Sequence, residues 1–299
     1  MKLGLGTVAF GLDYGVANRD GQVAPDEAAR ILALAAEADI RVIDTAHLYG
    51  DSERVVGQAR PAAARFRVVT KTPRFGGATL TAADADALER AADGSRRALG
   101  CDRLAGLLLH HAPDALAPGS DLLFDRMAEL KVRGWVEKAG VSVYNPEQLE
   151  RVLDRHPGRV ELVQLPFNVL DQRLAQSPSL LRRLRDQKVE VHVRSVFLQG
   201  LLLMAPAAPP PYFDPWRTAL ATWQRLAGDS RLSRLALALR FALEAPFVDA
   251  VVVGACSRPQ LAEIIEAART TAPLPPGAAL AALAVDDEAL INPGRWPSR

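Results

Sequence analysis

The sequence predicts an α/β fold: eight parallel strands, each followed by a helix, closing into a (β/α)8 TIM barrel with long site-covering loops and a C-terminal extension. Three observations predict it. Apolar runs that read as buried parallel strands alternate with segments of helical periodicity. Three of those runs, 42–44, 66–71 and 104–110, end abruptly in a titratable residue, as strands do where they leave a barrel at its functional face. The length, 299 residues, suits one barrel of about 250 residues with extended loops, so residues 1–299 are expected to form a single domain.

Composition narrows the function classes. A hydrophobic content of 49% supports a large core, and aromatics at only 6% mean that it is built from aliphatic and alanine side chains. Lys plus Arg number 36 against 35 Asp plus Glu, a formal net charge of +1, so no bulk field favours nucleic acid or an anionic membrane. Cys101 and Cys256 are too sparse for a disulfide framework or a zinc site; they read as small apolar fillers in a reducing, cytoplasmic protein. Residues 1–7 read as a glycine-broken strand without the apolar run of a signal peptide. The uncharged tracts 196–213 and 270–285 are interrupted by prolines and are expected to be loops.

In chain order, a first strand at 3–8 precedes a helix that Pro25 opens, with Ala28, Ile31, Leu32 and Ala35 on one face. A short helix from Ser52 leads to the strand ending in Lys71, and Thr81 with Asp84 resembles a capped start for a helix reaching Leu99-Gly100. After His110, residues 112–120 read as a turn-rich loop, followed by a helix whose Leu122, Leu123, Met127 and Leu130 face the core. A strand at 136–143 meets Asn145-Pro146, a turn into the next helix. Strands ending near Pro166 and Arg194 follow, then an aromatic-bearing insertion at 209–216 and helices at 216–227 and 232–243, the second with Leu232, Leu235, Ala236, Leu239 and Leu243 on one face. A strand at 248–253, a helix at 261–268 and a short helix near 286–290 complete the pattern.

Neighbouring strand ends would bring Asp44, Tyr49, Lys71 and His110 together at the C-terminal face of the barrel. A phenol has a pKa near ~10, too high for good proton donation at neutral pH unless an ammonium draws it down; a carboxylate beside that ammonium keeps it charged and in place. Taken singly, Asp44 could cap a helix, Lys71 could be a solvated strand-end charge and His110 could close an ordinary strand. Their recurrence on successive strand ends favours chemistry. His47 and His111 read as site-lining or structural.

Asp44-Thr45-Ala46-His47-Leu48-Tyr49-Gly50, followed by the strand-end Lys71 and by Leu108-Leu109-His110, resembles the aldo-keto reductases. The resemblance implies a catalytic tetrad: Tyr49 as general acid, Lys71 and Asp44 as its tuning pair, and His110 orienting a carbonyl. It also implies a nicotinamide seat, with Gly6, Thr7 and Asp44 beside the ring and Ser142 and Gln164 on its carboxamide. Ser195, Leu198, Gln199 and Gly200 would wrap a pyrophosphate. Arg194 stands where relatives place an aromatic, and a guanidinium there can stack on a ring or hold an anion. Gly254, Ser257, Arg258 and Gln260 would form the adenosine-phosphate loop. There Gln260 replaces the usual Arg and Ile264 the usual Asn, and Ser257 and Arg258 could compensate. Relatives carry Gly where Asp39 stands, and often a hairpin under the barrel that is not expected here.

The resemblance therefore implies a cytoplasmic carbonyl reductase using NADPH, with NAD possible, acting on a small carbonyl compound without nucleic-acid or membrane partners. Its oligomeric state is not legible. Two other readings compete: a noncatalytic nicotinamide-binding barrel serving as sensor or partner subunit, and a lyase or isomerase using Lys71 as a Schiff base.

Overall fold

The computed structural model describes residues 1–16, 18, 21–61 and 65–297. Its eight strands are β1 (Leu3–Gly6), β2 (Val42–Asp44), β3 (Arg67–Lys71), β4 (Leu104–Leu109), β5 (Val136–Ser142), β6 (Leu162–Pro166), β7 (Glu190–Arg194) and β8 (Ala250–Gly254). Each pairs in parallel with the next, and β1 pairs with β8, so the sheet closes and leaves no edge. Register brings the functional ends level: Gly6 lies opposite both Asp44 and Gly254, Ser142 opposite Gln164, and Pro166 opposite Arg194.

The barrel interior is apolar at its middle. Val42, Val69, Leu108 and Leu162 form one apolar cluster, and Gly106 leaves the room that Leu162 fills, since a Cβ there would lie 2.6 Å from Leu162 Cδ2. Near the strand N-termini the interior turns polar. Glu190 accepts from Lys138 and from Arg67, and its Oε1 lies 2.7 Å from Nε2 of the fully buried His192. The His192 contact, with Lys138 and Arg67 behind it, holds the Glu190 carboxyl well below the usual carboxylate range despite its partial burial. A depressed folded-state pKa contributes stability above the unfolded value of about 4.3 and loses it as pH falls. The melting temperature of the parent is thus expected to exceed that of Glu190→Gln by a margin that shrinks as pH falls through the acid range; a pH-independent margin would assign Glu190 a packing role alone.

Helices cover the outside. Pro25–Glu37 buries Ala28, Ile31, Leu32 and Ala35 as the periodicity predicts, and the chain then turns through Asp39 at φ 58 with its carboxylate held by Arg41 Nε at 2.7 Å. Asp84 accepts from the Thr81 backbone N–H at 2.8 Å, and Ala82–Leu99 ends at Gly100 in the left-handed region. Asn145 caps Pro146–Arg155 by accepting from the Gln148 N–H at 2.9 Å.

Several boundaries differ from the sequence reading. The first strand stops at Gly6, and Val8–Gly11 is a short helix. Residues 112–120 contain the helix Ala112–Leu116, which Pro113 and Asp114 favour in its first turn. Within Asp121–Val132, Leu122 is exposed and Phe124 takes its place in the core. Arg234–Leu243 buries Ala236, Leu237, Ala238, Leu239 and Ala242 rather than a single leucine stripe, because it is packed against neighbouring helices as well as the barrel. The two proline-rich tracts hold the 3-10 turns Leu198–Leu203 and Pro211–Trp216 and the short helix Gly277–Ala281. Among the described residues, no helix is long and apolar enough to cross a membrane.

The C-terminal segment is latched to the aromatic insertion. Tyr212 donates to the Ala289 carbonyl at 2.9 Å, the Trp216 indole donates to Asp287 at 2.9 Å, and Trp296 packs edge-on to Phe213 with centroids 4.8 Å apart. Trp296 is thereby engaged with the insertion.

Candidate active site

Hydroxyl groups brace the end of β2. Ser52 donates to the Thr7 carbonyl at 2.8 Å, Thr7 Oγ1 lies 3.0 Å from the Asp44 carbonyl oxygen, and the Thr7 and Thr45 hydroxyls meet Ser52 at 2.8 and 3.1 Å. The Thr7 side chain is thus turned into the strand end that presents Asp44. Lys71 arrives from β3 next door. Asp44 and Lys71 are 4% and 1% exposed, which a charged pair tolerates only when every donor is satisfied.

They are satisfied here. Lys71 Nζ donates to both Asp44 carboxylate oxygens at 2.7 and 2.8 Å and to the Thr45 carbonyl at 2.9 Å, committing all three ammonium hydrogens. Asp44 Oδ1 also accepts from Gln164 Nε2 at 2.7 Å, reaching across the barrel from β6. Burial pulls the Lys71 ammonium below the ordinary lysine value, and the Asp44 carboxylate works against that pull.

Tyr49 sits on the turn after β2, where Gly50 follows in the left-handed region at φ 54 and a Cβ would lie 2.4 Å from the Gly11 carbonyl oxygen. The Lys71 ammonium lies 5.1 Å from the Tyr49 ring centroid, and the His110 ring meets it edge-on at 5.6 Å. The phenol does not move in the direction expected from the sequence. Burial first and the Asp44 carboxylate second raise its pKa above the ordinary tyrosine value, with Arg194 opposing. Lys71 is bonded to Asp44, and its ammonium does not offset these two effects.

His110 follows β4, and its backbone N–H donates to Thr72 Oγ1 at 3.3 Å. Burial, reinforced by the positive charges of Lys71, Arg194 and Arg74, pushes the imidazole down to about 3, so it is neutral at pH 7. Its Nδ1 is buried without a hydrogen-bond partner among the described residues.

Gln164 carries a second unmet valence. Its amide nitrogen is fixed on the Asp44 carboxylate, so Oε1 faces the other way, buried and unpaired among the described residues. Ser142, beside it in register and 4% exposed, places a hydroxyl at the adjoining strand end. A buried acceptor and a hydroxyl on neighbouring strand ends fit a carboxamide, which both donates and accepts.

Arg194 ends β7 with its guanidinium over the Tyr144 ring, 4.5 Å from the centroid, donating to the Val143 carbonyl at 3.2 Å and the Ser195 hydroxyl at 3.3 Å. Beyond it Ser195, Leu198 and Gln199 all take positive φ, at 60, 44 and 52, and Gly200 follows at 91. Leu198 is anchored in the core, while Gln199 reaches the Tyr14 hydroxyl at 3.4 Å. Asn168 braces this loop, donating to the Ser195 carbonyl at 3.1 Å and accepting from the Leu170 and Asp171 N–H groups.

After β8, Gly254 is exposed and Ser257 caps Arg258–Arg269 by accepting from the Gln260 N–H at 3.3 Å. Two more backbone donors there are already engaged: the Cys256 N–H by Gln260 Oε1 at 2.8 Å, and the Arg258 N–H by the Glu27 carboxylate. The Arg258 side chain is exposed and joins no ion pair among the described residues. His47 is exposed, and His111 Nδ1 lies 3.0 Å from Asp114 Oδ1, a local structural contact.

The sequence reading missed Tyr144 and Tyr14 as site neighbours. Tyr144 stands two residues past Ser142 at a strand exit, a position that could have flagged it. Tyr14 lies on the long β1 loop, where no periodicity points to the site.

The family model described as "Aldo/keto reductase family" matches residues 2–276. Aldo-keto reductase str7 of Strobilurus tenacellus is 28% identical over 193 residues, which span 63% of this chain and only 54% of that relative. Among solved structures, aldo-keto reductase AKR11C1 from Bacillus halodurans in its holo form superposes with a TM-score of 0.70 at 22% identity, covering 94% of this chain and 90% of that one. The glycerol dehydrogenase AKR11B4 from Gluconobacter oxydans gives a TM-score of 0.70 at 20% identity, over 100% of this chain and 94% of that one. At these identities the structural likeness concerns the fold.

Proposed function

The chain belongs to the aldo/keto reductase family, and from that premise we propose that it is an NAD(P)H-dependent oxidoreductase reducing an aldehyde or ketone to an alcohol. The observation that carries this reading is the fully bonded Lys71–Asp44 pair with its ammonium 5.1 Å from the Tyr49 ring centroid and the His110 imidazole edge-on to the same ring at 5.6 Å. A bound nicotinamide would supply the hydride to the carbonyl carbon. The chain's own residues supply everything else.

Tyr49, with its phenol raised by burial and by Asp44, stays protonated throughout the neutral range and gives its proton to the carbonyl oxygen as charge develops there. Lys71 stands close enough to the ring to stabilise the phenolate left behind, and Asp44 keeps it oriented. His110, neutral at pH 7, orients the carbonyl by donating a hydrogen bond rather than a proton. Gln164 and Ser142 would hold the carboxamide of a bound nicotinamide, and the backbone N–H groups of the loop with positive φ at Ser195, Leu198, Gln199 and Gly200 would serve its pyrophosphate. The commitment of all three Lys71 hydrogens speaks against a Schiff base, which needs a free amine lone pair.

Loss of NAD(P)H absorbance across a panel of aldehydes, sugars and ketones tests the reading. Dinucleotide binding without reduction of any carbonyl would favour the noncatalytic barrel.

NADPH is proposed as the preferred dinucleotide by a narrow margin. Gln260 offers no charge, and Arg258 is the one cation of its loop. Because Arg258 is exposed, its contact with a 2′-phosphate contributes less than the ~1.5–3 kcal/mol of a sheltered charge-assisted bond. Binding titrations are expected to give NADPH an advantage of about tenfold or less, abolished in Arg258→Ala. A parent that binds NADH more tightly would overturn the assignment.

A further inference from the structure

Arg194 is a half-buried guanidinium beside the proposed reaction centre that takes part in none of the ion pairs among the described residues. Its contacts are the Val143 carbonyl, the Ser195 hydroxyl and the face of Tyr144, which leave most of its five N–H donors unused. The carboxylates nearby are engaged elsewhere. Asp44 is held by Lys71 and Gln164, and Asp171 by two donors of Arg173, both at 2.8 Å. Asp114 takes the Phe75 N–H and faces His111. Arg74, on the loop after β3, is exposed and likewise joins no ion pair among the described residues.

We propose that the carbonyl substrate carries an anionic group, a carboxylate or a phosphate, that Arg194 receives across the barrel mouth from Tyr49, with Arg74 adding charge at the rim. This substrate class rests on the carbonyl-reductase reading and refines it. A half-buried cation that makes no ion pair among the described residues is costly, although the charge of Asp171 acts on it from farther off, and a planar fork matches the two oxygens of a carboxylate or phosphate. The Tyr144 ring face and the bonds to the Val143 carbonyl and the Ser195 hydroxyl hold the guanidinium in place before a ligand arrives. The positive charge is local, because the whole chain carries a formal charge of only +1. The charges that act on His110 are of one sign: Lys71, Arg194, Arg74 and His111 all push the imidazole down, and an anion would balance that field. Arg194 also acts electrostatically on the Tyr49 phenol, which it draws down against burial.

The test uses the full chain with NADPH and aldehydes matched in all but charge: succinate semialdehyde against butanal, and glyceraldehyde phosphate against glyceraldehyde. The parent is expected to prefer the charged member of at least one pair in kcat/KM by about 10- to 100-fold, and the preferred pair distinguishes carboxylate from phosphate. In Arg194→Met the preference should fall to near parity, and in Arg194→Lys, which keeps the charge but loses the fork, to an intermediate value. A parent indifferent to charge, or a ratio unchanged in both variants, overturns the proposal. So does a defect confined to weaker NADPH binding, which would assign Arg194 to the cofactor. If no aldehyde of either kind is reduced, the reductase reading fails. Calorimetric titration then still decides the anion site: butanoate or glycerol phosphate should bind the parent and neither should bind Arg194→Met, while equal binding of butanamide or glycerol would sink it.

Discussion

Replacing Tyr49 with Phe is expected to lower kcat by about 10²–10⁴-fold, the range for loss of a positioned proton donor, while dinucleotide affinity stays within about twofold. The substitution removes one oxygen. The ring remains to meet His110 at 5.6 Å and to lie near the Lys71 ammonium at 5.1 Å, so packing around the pair survives. Single-turnover kinetics and a binding titration separate the two effects. Reduction at the parent rate would remove Tyr49 from the chemistry. Because burial and Asp44 both raise the phenol, the parent's reductase activity should be insensitive to Tyr49 ionisation across neutral pH, with a basic limb only at strongly alkaline values.

Lys71→Met is expected to be damaging for two separable reasons. Without the ammonium, the Asp44 carboxylate stays buried with Gln164 as its remaining side-chain donor, and breaking a buried pair from one side costs about 3–5 kcal/mol. The phenolate forming at Tyr49 also loses the ammonium 5.1 Å from its ring centroid, so kcat should fall as in Tyr49→Phe, with any surviving basic limb moved upward. Denaturant titration reads the first effect and single-turnover kinetics the second. Adding Asp44→Asn removes the stranded charge and should restore most of the stability without restoring the rate. Recovery of both would make the pair purely structural.

The fold was legible because its signals are local: apolar runs give the strands, Pro25 and Thr81 mark helix starts, and a titratable residue ending three of the apolar runs marks the functional face. That same pattern picked out Asp44, Tyr49, Lys71 and His110, which the structure brings together. What escaped the sequence depends on the third dimension. The bond from Gln164 to Asp44 spans 120 positions, and the Thr45 carbonyl that completes the Lys71 coordination carries no side-chain signature. The direction of the Tyr49 shift was misread because charge can be counted along a chain, whereas burial cannot. The stack of Arg194 on Tyr144 was hidden for a related reason, since it joins the ends of β7 and β5, which are not adjacent in the barrel.

The left-handed run after β7 has a consequence for how the barrel opens. Ser195, Leu198 and Gln199 hold conformations that side-chain-bearing residues adopt at a cost on the order of 1 kcal/mol or more each. Only their surroundings hold them there: Leu198, Leu201 and Leu202 are anchored in the core, and Asn168 grips the Ser195 carbonyl. A segment that would relax if released needs less free energy to unfold locally than the strands on either side of it. Residues 195–203 are therefore set to exchange their amide hydrogens ahead of β7, and a dinucleotide bound across them would be felt first as protection of that stretch.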